Sequence, residues 1–371
     1  MKVNKNLAVS TLLAMAAGVW AVPNVALAAG YTLTDLGPLG SSSGAAVGTL
    51  GINDYGQTSG YAYTSGGSAT NAYLYSGGVK TDLGTLGGAN SAALGLNGLG
   101  QVVGYAQTAS GNENAFLYSN GTMTDLGTLD SGNTSVAYGI NDSGEVVGNS
   151  ATLTNNTGYA FLYSNGSMTN LGTLGGTYSW ATGINNIGQV VGSSAIGGSS
   201  GDQHAFLYNN GTMTDLGTLG GGSSTAWGIN GNGEVIGGAY TTGGNQHAFL
   251  YNGGGMIDLG TLGGGTSTAY GINQYGQIVG YSLTSSGAHV AFLYSNGQMI
   301  NLNNLVSAPG WGLADAYGIN SQGDIVGDGY YDGQHYAFML TPVPIPPAGW
   351  LFGSGLLGLI AITRRRNRVE R

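Results

Sequence analysis

Short runs in which apolar and polar residues alternate recur along most of the chain, separated by glycine and asparagine, with no helical period in the repeated region. Three landmarks order them. G-[IL]-N-x-x-G begins at Gly51, Gly95, Gly139, Gly183, Gly228, Gly271 and Gly318, with spacings of 44, 44, 44, 45, 43 and 47 residues. A-[FY]-[LM]-[YL] begins at Ala72, Ala115, Ala160, Ala205, Ala248, Ala291 and Ala337. [DN]-L, mostly D-L-G-T-L, begins at Asp35, Asp82, Asp125, Asn170, Asp215, Asp258 and Asn301.

The unit from Thr225 to Gly263 predicts four strands: A-W-G-I-N, E-V-I-G, H-A-F-L-Y and M-I-D-L-G. Asn230 opens a tight turn that Gly233 closes with a positive φ. Asn252-Gly253, grouped with Asn120-Gly121, Asn165-Gly166, Asn210-Gly211 and Asn296-Gly297, predicts a two-residue hairpin between the third and fourth strands. Four-stranded antiparallel units of this length in series read as propeller blades. The array opens at Tyr31 on a fourth-strand sequence, YTLTDLG, and stops at Leu340 on a third-strand sequence. The expected fold is therefore all-β: a seven-bladed β-propeller of four-stranded antiparallel blades, closed by the N-terminal strand, with a short C-terminal hydrophobic helix.

The ends carry different patterns. Residues 1–28 read as an export signal, with Lys2 and Lys5 before an apolar run from Leu7 to Val19 and an A-x-A cleavage site at Ala26 and Ala28. Residues 29–341 form the repeat body, in which the linkers between second and third strands vary most and project as loops on one face. Residues 342–371 hold a proline cluster, an uncharged apolar run from Ala348 to Thr363 and a basic cluster. As a helix that run spans about 24 Å, short of the roughly 30 Å of a bilayer's hydrocarbon. It reads as a sorting signal more than a permanent anchor, its arginines held on the cytoplasmic side.

Charge narrows the function. All five arginines lie in the C-terminal tail, and between Ala29 and Pro347 Lys80 is the one basic residue against 16 acidic ones. Such a body repels phosphate backbones, which excludes nucleic acid. With no cysteine, disulfides and thiolate metal sites are excluded too. Glycine, 73 of 371 residues, falls at fixed offsets in turns and close strand contacts.

Val343-Pro344-Ile345-Pro346, Trp350 and the trailing Arg364, Arg365 and Arg366 resemble the PEP-CTERM sorting signal of Gram-negative bacteria in a V-P-x-P form that lacks the glutamate. The G-I-N-x-x-G and H-A-F-L-Y repeats look like the HAF family of extracellular repeat proteins. The resemblance implies an exosortase-type processing partner and a place at the cell surface or in an exopolysaccharide matrix. It implies no activity.

No catalytic set stands out, and no cofactor or metal is expected. His204, His247, His289 and His335 precede the third-strand alanine, at most one per blade, and read as repeat consensus in place of a metal centre. The turns at Asn53 and Asn141 are too short for calcium loops. The aspartates of D-L-G-T-L read as turn contacts, not as the placed pair a glycosidase needs. Before the repeated glycine stand Tyr138, Trp227, Tyr270 and Tyr317, with Leu50, Leu94 and Thr182 in the other blades. Packing between sheets is one reading. Stacking on sugar rings at blade ends is the other, with Trp180 and Trp311 nearby. The chain reads as a secreted, non-catalytic, structural or adhesive repeat protein, alternatively a lectin-like propeller and thirdly a polysaccharide hydrolase.

Overall fold

The computed structural model describes residues 30–37, 48–64, 69–153, 158–198 and 201–343. Ala26 and Ala28, the proline cluster from Pro344, Trp350, the apolar run with its expected helix and the arginines lie outside the described residues; Val343 is described and exposed. Among the described residues no helix is long and apolar enough to cross a membrane.

Seven four-stranded antiparallel sheets follow one another, each in simple meander order. Blade 5 shows the plan: Gly220–Ile229 innermost, then Val235–Thr241, Gln246–Tyr251 and Met256–Asp258 outermost. The innermost strand is longer than the apolar pattern predicts. Its first half, Gly220 to Thr225, has too little apolar alternation to register as strand, yet it follows the second strand back to Thr241. The seventh blade is completed as expected. Tyr31–Asp35 pairs with Gln334–Pro342, Leu33 facing Leu340, to close the ring.

The core is a set of layers between blades. Val147 and Ala160 of the third blade pack against Ala181, Val190 and Phe206 of the fourth, and equivalent clusters fill the other gaps. Phe116, Phe161, Phe206, Phe249, Phe292 and Phe338 are fully buried. Each contributes about 1.5–3 kcal/mol by leaving water. The glycine after the paired β-branched residues is needed for approach: a Cβ on Gly192 would run into the Trp180 carbonyl oxygen beside a bulge in the innermost strand.

Two turn types behave differently. Asn120, Asn165, Asn210 and Asn296 take positive φ before their glycines, as a type I′ hairpin requires. Asn252 does not belong with them. It stands one place closer to its third-strand alanine, so the turn is made by the following glycines, with Gly253 and Gly255 at positive φ.

The G-[IL]-N asparagines do more than shape a turn. Each accepts the main-chain N–H groups two and four residues on; Asn185, for example, accepts from Ile187 and Gln189. Each also donates through Nδ2 to the backbone carbonyl of the equivalent asparagine in the next blade. The series runs Asn53 to Asn97, Asn141, Asn185, Asn230, Asn273, Asn320 and back to Asn53, at 3.0–3.2 Å. It is a closed circuit of seven buried amides.

Asn185→Asp tests the circuit. The carboxylate keeps both acceptors but faces the Asn230 carbonyl and Gln189 Oε1 with no donor. We expect a loss of about 2–4 kcal/mol in urea unfolding, whereas the neighbouring exposed Asn186, replaced by alanine, costs under about 1 kcal/mol. Equal midpoints for the two variants would show that the circuit contributes nothing special.

Candidate functional site

The innermost strands surround an axial cavity of about 520 Å3, inside the size range of small-molecule sites. The residues before the repeated glycines form its wall: Leu94, Tyr138, Thr182, Trp227, Tyr270 and Tyr317. The aromatic slots are thus gathered on the axis and not distributed over blade ends. Trp227, Tyr270 and Tyr317 are contiguous, with ring centroids 5.9 and 5.4 Å apart. Tyr138 lines the same cavity, and it and Trp227 keep 37% and 39% of their surface exposed. Trp180 stacks on Tyr178 at 5.6 Å instead. Trp311 joins Tyr331 and borders a second groove beside Tyr31 and Leu33, at the seam of the ring.

Strand direction gives the cavity two different mouths. One bears the asparagine turns. The other bears the connections between second and third strands and those leading from each fourth strand to the next blade. Around this second mouth blade 7 departs from the repeat. Asp315 and Asp328 are register partners on its first and second strands, in slots held by Thr268 and Tyr281 in blade 6 and by Ala92 and Tyr105 in blade 2. The Tyr317 hydroxyl donates to Asp328 Oδ2 at 3.2 Å, and His335 Nε2 lies 3.3 Å from the same oxygen. His289 of blade 6 bonds Asp315 at 3.0 Å and stacks on Tyr281, their rings 4.3 Å apart. Asp328 is 6% exposed, and its Oδ1 has no hydrogen-bond partner.

The electrostatics follow from this crowding. Burial lifts the Asp328 carboxyl from its ordinary 3.8 to about 6. His335 opposes the rise, Asp315 adds to it, and the Tyr317 hydrogen bond and His289 hold it down. Tyr317 and Tyr270 are pushed well above the usual phenol range, by burial first and then by the Asp328 and Asp315 charges. Tyr61 of blade 1 is raised by burial and by Asp328. The wall therefore presents neutral phenols throughout the physiological range.

The four histidines fall into two kinds. His204 and His247 stand one residue before the alanine and hold both oxygens of Asp215 and Asp258. Asn71 and Asn114 do the same for Asp82 and Asp125, so this pair is repeat consensus. The D-L-G-T-L aspartates also accept the N–H two residues on, as at Gly217 and Gly260. His289 and His335 stand two residues before the alanine, on the other face of their strands, and reach the blade 7 acids. Sequence reasoning missed Asp315 and Asp328. The available signal was that they are acids at repeat positions where the other blades carry none. Among the described residues no group of three or more histidine and acidic side chains is placed to hold a metal ion.

No protein-family model matches the chain, and no curated protein matches it. Solved structures do resemble it. TolB from Acinetobacter baumannii is 10% identical at a TM-score of 0.45, covering 78% of this chain and 64% of its own. A puromycin-hydrolyzing peptidase from Mycobacterium tuberculosis is 10% identical at 0.48, covering 80% and 53%. A gluconolactonase from Xanthomonas campestris is 11% identical at 0.38, covering 84% and 100%. The chain thus spans under two thirds of the length of the first two. At such identities the likeness concerns architecture and says nothing of chemistry.

The raised Asp328 carboxyl has a consequence for stability. The folded state binds its proton more tightly than the unfolded chain, so this group's stabilising contribution is complete below about pH 4. It is lost as pH rises to about 6, and near neutrality the ionised group is a penalty. Asp328→Asn should therefore raise stability at pH 7, by about 1–3 kcal/mol, and give no gain at pH 4. Urea unfolding at the two pH values measures the difference. A variant equally or less stable at pH 7 would show that the buried carboxylate carries no cost.

Proposed function

We propose that the chain is a non-catalytic, glycan-binding β-propeller of the cell surface or the exopolysaccharide matrix. It is exported by its N-terminal signal and sorted through its tail by an exosortase-type enzyme after a transient inner-membrane contact. The observation that carries the binding half is the contiguous aromatic wall of Trp227, Tyr270 and Tyr317 in an axial cavity of about 520 Å3. The C–H face of a sugar is a flat apolar patch that an aromatic ring covers well, while neutral phenol hydroxyls serve the sugar's own hydroxyls. The Trp227 indole keeps 39% of its surface exposed at this wall, and a ligand gives it a use.

Binding is favoured over glycoside hydrolysis by the placement of the acids. Hydrolysis needs two carboxyl groups on either side of the scissile bond, about 5–10 Å apart. Asp315 and Asp328 are paired across adjacent strands of one sheet, so they approach a ligand from the same side. The export half rests on the sequence of the two ends and on the resemblance they carry.

Two measurements test these halves separately. On a glycan array, Trp227→Ala should weaken the best-bound glycans at least tenfold, about 1.4 kcal/mol; unchanged signals would remove the axial wall from the reading. Mass spectrometry of protein recovered from the cell surface and medium should give a chain that begins after Ala28 and lacks Arg364 to Arg366. A full-length chain confined to the cytoplasm would refute the route.

A further inference from the structure

We infer that the mouth formed by blades 6, 7 and 1 selects glycans that carry a free amine, seating the ammonium of an amino sugar against Asp328 and Asp315 while its ring lies on the aromatic wall. The inference rests on the glycan-binding reading and names the ligand class for it.

The argument begins with two acids that the repeat does not explain. Like charges directly opposite on neighbouring strands destabilise a sheet, and Asp315 and Asp328 are such a pair. One of them is buried with an unpartnered oxygen, at a depth where polar groups are almost always satisfied. The ring lends the pair no lysine or arginine; its partners are His335 at Asp328 and His289 at Asp315. Lys80, the one basic residue between Ala29 and Pro347, lies at the seam, where its ammonium donates to the Leu36 carbonyl at 2.7 Å. The place is built for a positive charge that arrives from outside.

The surroundings decide what kind of charge. A bare metal ion wants three or more converging ligands, and no such group is assembled among the described residues. An ammonium needs less: three donors that find acceptors, and aromatic faces nearby. Asp315, whose side chain keeps 18% of its surface exposed, and the phenol oxygens supply the acceptors, and the buried Asp328 adds its charge behind them. Tyr270 and Tyr317, both on the cavity wall, supply the faces, whose negative quadrupoles attract cations. Tyr317 joins the two parts directly, since it lines the cavity and its hydroxyl donates to Asp328. The acidic body adds long-range attraction for cationic glycans and repels anionic ones.

The titratable groups facing Asp328 are His335, Asp315, Tyr317 and His289, with Tyr61 and Tyr270 also within reach of its charge. Its elevated pKa means that acidification neutralises Asp328 before the ordinary surface carboxylates. Acidification also protonates an amino sugar more fully. A general attraction between a cationic glycan and an acidic protein thus strengthens or holds from pH 7 to pH 5, while a site built on Asp328 weakens.

Isothermal titration of the full chain with a β-1,4-linked glucosamine tetrasaccharide and with its N-acetylated counterpart separates these cases. At pH 7 we expect the free amine to bind at least tenfold more tightly, and that advantage to shrink severalfold at pH 5. Asp328→Asn should lose the advantage at pH 7, and Asp130→Asn, an exposed acid on the connection from blade 2 to blade 3, should keep it. The pH comparison uses the unaltered chain and does not depend on how any variant folds. Equal affinities for the two sugars would overturn the amine assignment and leave the glycan-binding reading standing. An advantage that persists at pH 5, or in Asp328→Asn, would overturn it in favour of the body's general charge. Binding of neither sugar, alongside a blank glycan array, would remove both.

Discussion

The ring depends on one repeated hydrogen bond, the asparagine Nδ2 of each blade on the backbone carbonyl of the next. Seven such bonds form a loop without ends, and the last, from Asn320 to Asn53, spans 267 residues of sequence. Each amide is used to its full capacity, two acceptor and two donor contacts, in a buried place where any shortfall costs about 1–3 kcal/mol. The bond is geometric as well as energetic. It fixes where each innermost strand turns relative to its neighbour, so the width of the axial cavity follows from it. A second peg works further out. In five blades a buried serine of the next blade's innermost strand accepts the N–H of the third-strand alanine and donates to the carbonyl of the glycine after D-L, as Ser224 does for Ala205 and Gly217.

Between these polar pegs lie the apolar layers, and the two kinds of contact need each other. Sheets packed on their faces alone slide, because burial is indifferent to small shifts. Hydrogen bonds alone would net little, since water offers the same partners. Phenylalanines held between a valine of one blade and an alanine of the next supply the energy, and the asparagines supply the register. Closure at the seam follows the same division. Tyr31–Asp35 brings main-chain bonds and Leu33 to the last sheet, and Lys80 reaches across from blade 1 to the Leu36 carbonyl while lying over the Tyr73 ring at 4.9 Å.

The architecture was legible because repetition multiplies a weak signal. One alternation of apolar residues is ambiguous, but seven in register with Asn-Gly turns leave few folds, and the spare strand at Tyr31 tells an open stack from a ring. Where a turn had to be placed within one residue, as at Asn252, the dipeptide misled and the distance from the alanine was the better guide. The asparagine circuit was hidden for a different reason. A residue's local role in a turn can be read from its neighbours, whereas a bond to a carbonyl 44 residues away cannot. The aromatic slots were visible as a column in the repeat, yet whether the column faced a neighbouring sheet or the axis needed coordinates. Asp315 and Asp328 were obscured by company, because many acids in this chain are repeat consensus.

That contrast between consensus and exception bears on how such a ring acquires a site. When stability is spread over seven equivalent junctions, one blade can hold a buried, half-satisfied carboxylate without loss of the fold. The cost falls on a single junction, and the circuit and the apolar layers of the other six are untouched. The repeat therefore supplies both the scaffold and the background against which a specialised position stands out. Blade 7 shows both at once: Asn320, Phe338 and the borrowed N-terminal strand follow the common plan, while Asp315, Asp328 and His335 break it, all on one side of one mouth. Chemistry concentrated where symmetry fails is what a ring with a single off-axis ligand would need, because a sevenfold pattern by itself has no means of orienting an asymmetric guest.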